Sequence, residues 1–175
     1  MDIDIAILTL RIVFGLTLAA HGAQKLFGWW NGPGLAGFSG WLGSMGVRAP
    51  MFAALLAAVT EFGGGIALAA GFLTPIVALG IVVVMTTAIL TVHLKAGFFN
   101  PAGWEYNFAI IAAAVVVTIT GAGEYSLDSA LGLTGGDWSG WEIGLGVFVG
   151  GVVIALLNEA TRQKAPAVAA AAAAE

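Results

Sequence analysis

The sequence predicts an all-α, polytopic membrane bundle, and three observations carry that prediction. Of 175 residues, 59% are hydrophobic and only 9% are charged, with a mean hydropathy of +0.98. A soluble domain carries about 25% charged residues, so this chain lacks the polar surface for water and takes lipid as its solvent. The apolar residues also fall into five runs near the roughly 17–25 residues that a spanning helix needs, at 3–27, 51–72, 75–94, 104–120 and 141–157. Turn formers separate them, as in Asn31–Gly32–Pro33–Gly34, Asn100–Pro101–Ala102–Gly103 and Gly121–Ala122–Gly123.

Each run has its own justification. The first begins Met1–Asp2–Ile3–Asp4; a cleavable signal begins with a basic stretch, so this segment is expected to be retained as a span. After it, Leu35, Phe38, Leu42 and Met45 share a 3-4-3 spacing. That spacing predicts a short interfacial helix lying in the headgroup plane. Pro75 stands at a natural helix start for the third span. The fifth run is barely long enough to cross. From Asn158 onward the chain is Ala-rich with Pro166 and has no amphipathic period, which predicts a disordered tail. The expected domains are thus a four-helix membrane domain over 1–131, a linker and fifth helix over 132–157, and the tail over 158–175.

Charge sets the expected orientation. With five spans, the first and third loops and the tail share a side that holds Lys25, Arg48, Lys95, Arg162 and Lys164. The other side holds Asp2, Asp4, Glu124, Asp128 and Asp137. Basic residues stay in the cytoplasm, so the N-terminus is expected outside and the C-terminus inside a bacterial plasma membrane. A net charge of −4 leaves no basic patch for nucleic acid. The lack of cysteine removes thiolate chemistry and Cys-ligated iron–sulfur clusters from this chain.

Polar residues inside the apolar runs need a reason. Arg11 and Glu61 sit near the middle of the first and second spans, where a charge costs about 2.5–3.5 kcal/mol on insertion scales. An inter-helix ion pair between them is the expected solution. His21 and His93 fall near the ends of the first and third spans, on the same side of the membrane, with Gln24, Asn100, Glu105 and Tyr106 close by in the chain. Imidazole, amide and carboxylate groups at one depth suit a quinone, which needs donors for its carbonyls and a route for protons. A b-type haem would need axial ligands on facing helices, and two histidines are thin support for it. A metal held by His21, His93 and Glu105 lacks tight ligand spacing, so no metal is expected.

Other patterns reduce to membrane physics. Gly32 to Gly37 fits G-x-G-x-x-G but follows a membrane helix, not a strand. Gly63–Gly64–Gly65, and Gly146 with Gly150, read as close helix contacts in lipid. Thr87 and Thr91 share a face and should hydrogen-bond across helices or to backbone. Trp29, Trp30, Trp104, Trp138 and Trp141 lie at segment ends, as an aromatic belt does.

An ordered series of residues resembles the DoxX family of small bacterial membrane proteins. It runs from Leu10–Arg11 through His21–Gly22–Ala23–Gln24–Lys25–Leu26–Phe27–Gly28 and Gly32–Pro33–Gly34 to Glu61–Phe62–Gly63–Gly64. It continues in Val92–His93–Leu94–Lys95–Ala96–Gly97, Glu105–Tyr106–Asn107 and Gly123–Glu124–Tyr125–Ser126–Leu127–Asp128. The resemblance implies a four-helix membrane bundle linked to quinol chemistry, sulfur compounds and oxidative stress, with relatives in thiosulfate:quinone oxidoreductases. The leading expectation is a membrane subunit of a redox system that binds a quinone near the cytoplasmic face. Rival expectations are a scaffold recruiting soluble redox enzymes and a small-solute transporter with Arg11 and Glu61 lining its path. Partners would be the lipid bilayer, other redox subunits or soluble enzymes, and a second copy of the chain.

Overall fold

The computed structural model describes residues 2–99, 101–133 and 139–160. These residues form helices and turns with no strand among them. The helices are α1 (Asp2–Phe27), α2 (Gly34–Ser44), α3 (Pro50–Ala70), α4 (Thr74–Ala88), α5 (Glu105–Thr120), the single turn α6 (Leu127–Ala130) and α7 (Trp141–Ala160). α4 runs on through a turn of π-helix over Ile89–His93 and a 3₁₀ turn over Leu94–Ala96, giving one apolar rod of 23 residues. Asn100, Trp138 and residues 161–175, with Arg162, Lys164 and Pro166, lie outside the described residues. α7 carries the helix through Ala160, past the expected end at Leu157.

Four of the rods are long and apolar enough to cross a membrane: α1, α3, α4 with its extension, and α7. α5, at 16 residues, spans about 24 Å against a hydrocarbon core of about 30 Å. The rods alternate in direction. Asp2, the end of α3 and the start of α4 mark one end of the bundle, here called proximal; Phe27, α2 and the start of α5 mark the distal end.

Small residues decide which helices touch. Along α1, Gly15, Ala19 and Gly22 recur at helical spacing on one face and meet α3. A Cβ on Gly15 would lie 2.6 Å from the Gly65 carbonyl and 2.7 Å from the Ala69 nitrogen, and one on Gly22 would collide with the backbone of Phe62. Backbones this close gain dispersion contacts that lipid tails cannot supply. α7 uses Gly144 against Ile119 and Gly151 against Val82 to dock on α5 and α4. Of the glycines expected to pack, Gly65 does so; Gly63 and Gly146 meet open space. Between the helices lies a core of Leu18, Leu68, Ile81, Met85, Ile110 and Val117. Outward, Val13, Leu16, Phe52, Leu56, Phe148 and Leu157 stay exposed, as lipid-facing side chains should.

The expected helix after the first span is present as α2. Phe38 is buried, Leu35, Leu42 and Met45 are half-buried, and Gly37, Gly40 and Ser44 face out. The 3-4-3 face therefore turns toward α1 and α3.

Candidate ligand site

The expected Arg11–Glu61 pair is not the pairing this fold makes. Gly15 sits opposite Gly65 and Ala69, and Gly22 opposite Glu61 and Phe62. Glu61 is thus level with Gly22, eleven residues along α1 from Arg11, or about 16 Å at 1.5 Å per residue. Mid-run position in two antiparallel segments had suggested equal depth; the glycine contacts set a different register.

At the distal end Glu61, 1% exposed, is paired with Lys25. The ammonium bonds both carboxylate oxygens, Oε1 closely and Oε2 at 2.6 Å. Lys25 comes three residues after Gly22, which meets Glu61 and Phe62, so the α1 face packed on α3 carries it toward the carboxylate. Its Nζ also lies 5.0 Å from the centre of the Phe38 ring, so α2 roofs the pair with an aromatic face that attracts a cation. Sequence reasoning left Lys25 as a topology signal. The clue was available, because a buried acid needs a nearby base.

Next to this pair, the His21 ring lies 4.8 Å from the Tyr106 ring, tilted by 44°. The structure therefore brings His21, Lys25, Glu61 and Tyr106 to one end of the bundle. His21 is exposed on the outer surface of α1, while Tyr106 is half-buried with a hydroxyl that has no partner among the described residues. Buried hydroxyls are normally satisfied, so an unpartnered one marks a place where a polar partner is missing. Glu105 opens α5 and has a buried Oε2 that is likewise unpartnered among the described residues.

His93 closes the π-turn and points elsewhere. Its Nδ1 lies 2.6 Å from the Ala102 carbonyl. A carbonyl only accepts, so Nδ1 carries the hydrogen. Gln24 is half-buried, and its backbone packs against Gly32. Thr91 donates to the Thr87 carbonyl at 2.8 Å, the expected back-bond. Phe27, Trp29, Trp30 and Phe62 stack into an aromatic group at this end, with Trp29 and Trp30 exposed as a belt should be.

The proximal end is built differently. Arg11, also 1% exposed, donates through Nη1 to the Ala122 carbonyl and through Nη2 to the Tyr125 carbonyl at 2.6 Å. Gly71 ends α3 with φ of +65°, and a Cβ there would strike the guanidinium. Asp128 caps α4 from across the bundle: Leu73 N donates to Oδ1 at 2.7 Å, and Thr74 N and Oγ1 donate to Oδ2 at 3.0 and 2.7 Å. These bonds hold Leu73 in the left-handed region at φ 48°, where a branched side chain seldom sits.

Five apolar helices with buried ionic groups at both ends define a multi-pass membrane protein. The model of the family described as DoxX matches residues 6–94. The chain belongs to the DoxX family. It is 30% identical over 125 residues to the protein named "Putative oxidoreductase CatD" of Bacillus subtilis (strain 168), covering 71% of this chain and 86% of the relative. It is 33% identical over 129 residues to the "Inner membrane protein YqjF" of Escherichia coli (strain K12), covering 73% of this chain and 93% of the relative. No solved structure matches the chain.

Proposed function

We propose that this chain is an inner-membrane subunit of a bacterial redox system that binds a quinone or a similar lipid-soluble carrier at the distal end of the bundle, and that this end faces the cytoplasm. The observation that carries the reading is the contact of His21 with Tyr106 beside the buried Lys25–Glu61 pair. A quinone head is a flat apolar ring with two carbonyl acceptors. The Tyr106 hydroxyl would donate to one carbonyl, and the His21 ring would cover a face of the head group. Because His21 opens on the outer surface, the head group would enter sideways from the lipid with its tail left in the bilayer. Gln24 would add an amide contact. His93 and Glu105 would take part in proton exchange with water.

Reduction of a quinone to a quinol consumes two electrons and two protons. Electrons would come from a partner subunit or soluble redox enzyme. Protons would reach the site through groups that titrate near neutrality, of which imidazole is the usual one. The printed name of the Bacillus relative supports the redox class, and that of the Escherichia relative supports the inner membrane. Lys25, Arg48 and Lys95 at the distal end support the cytoplasmic orientation.

Binding of a short-chain quinone analogue to the full-length protein in nanodiscs tests the proposal. Tyr106→Phe keeps the ring and removes the hydroxyl; His21→Ala removes the covering ring. Each is expected to weaken binding at least tenfold, with helix content unchanged. Equal affinity in wild type and both variants would remove the reading and leave a scaffold, which would copurify soluble enzymes regardless of these substitutions.

A further inference from the structure

Arg11 is more than a clasp. Its two Nη groups are spent on Ala122 and Tyr125, but Nε is buried and has no partner among the described residues. A buried donor is costly to leave without an acceptor. Arg11 also lines a groove of about 560 Å³ at the proximal end, walled by Leu8, Ala69, Ala70, Leu127 and Ala130 and edged by Glu124. The two alanines at the end of α3 give it room, and Leu127 at its mouth is exposed.

We infer that this groove is a second binding site, which takes a neutral lipophile presenting a carbonyl oxygen to Arg11 Nε. The chemistry narrows the ligand in three steps. Nε is a donor only, so the ligand must supply an acceptor. The walls are apolar, so the rest of the ligand must be hydrocarbon. Glu124 edges the groove, so an anionic head would meet a carboxylate at its rim and a neutral oxygen would not be repelled. A quinone head and the ester of a bilayer lipid both meet these terms. The site lies ten residues, about 15 Å along α1, from His21, so it stands or falls independently of the distal reading.

Photolabelling of the full-length protein in nanodiscs separates the outcomes. One arm uses an azido-quinone with a prenyl tail and the other a photoreactive diacyl phospholipid, with labelled peptides mapped by mass spectrometry. Arg11→Lys keeps the cation but removes the Nε donor. Ala70→Trp fills the groove and leaves Arg11 untouched, so it decides the matter if Arg11→Lys fails to insert. Labelling of the 124–130 peptide is expected to fall at least tenfold in both variants, while labelling around His21 and Tyr106 is unchanged. Variant-sensitive labelling by the quinone probe supports the site and names a redox carrier as occupant. Variant-sensitive labelling by the phospholipid probe alone supports it and names a bilayer ester. Labelling at 124–130 that is equal in wild type and Ala70→Trp for both probes overturns it.

Discussion

The two ends of the bundle take in Lys25, half-buried, and Arg11, fully buried, and satisfy them in opposite ways. At the distal end Lys25 meets another side chain, Glu61, so cation and anion neutralise each other between helices α1 and α3. At the proximal end Arg11 meets backbone carbonyls in the turn after α5. A side-chain partner can be replaced; a carbonyl cannot. The distal arrangement is therefore tunable by substitution, whereas the proximal one welds a loop to a helix. Arg suits the weld because its planar fork reaches two oxygens at once, which a lysine ammonium does less well.

The largest expected effect breaks the distal pair. Lys25→Ala leaves Glu61 buried without its cation and should destabilise the fold by about 3–5 kcal/mol, the usual cost of orphaning a buried charge. The double variant Lys25→Met with Glu61→Leu removes both charges and should recover most of that loss. Thermal melting in detergent reads both; failure of the double variant to recover would mean that Glu61 has another essential partner. Arg11→Met comes next. It forfeits two charge-assisted bonds but also removes the buried charge, so the net loss should be about 1.5–3 kcal/mol, and no second side-chain change at Ala122 or Tyr125 should rescue it. A rescuing substitution there, found by selection for melting temperature, would erase the contrast between the ends.

The smallest effect lies on the seam joining the two ends. Gly22→Ala puts a methyl group into the Phe62 backbone and should cost about 1–3 kcal/mol, as overpacking does. Gly63→Ala, two residues from the buried Glu61, meets open space and should stabilise the helix by about 0.5–1 kcal/mol. Similar melting shifts for the two would show that the α1–α3 contact is not where the glycines place it.

This seam also explains how much of the protein was legible beforehand. Span number, order and the α2 helix follow from hydropathy and periodicity, because lipid forces each run into a helix and a 3-4-3 pattern needs a buried face. The convergence of His21 and Tyr106 at one end follows from alternation of direction alone. Ionic partners did not follow, because they depend on axial register between neighbouring helices, and register is set by where glycines let backbones touch. Gly15 and Gly22 carry that information, but only beside their α3 counterparts. Asp128 was hidden for another reason. Its capping of Leu73 and Thr74 joins residues more than fifty positions apart, and no local pattern announces such a bond.

The π-turn over Ile89–His93 has a consequence for how this end could change. A π-turn holds one residue more than an α-turn, and one residue is about 100° of helix rotation. His93 thus faces a direction that an unbroken α4 would have given to a neighbouring position. Deleting a single residue there, such as Thr91, would wind the segment back into α-helix and swing the imidazole away from Ala102, with loss of the Thr91 bond to the Thr87 carbonyl. In a lineage of such proteins, a three-nucleotide deletion would be enough to re-aim this histidine.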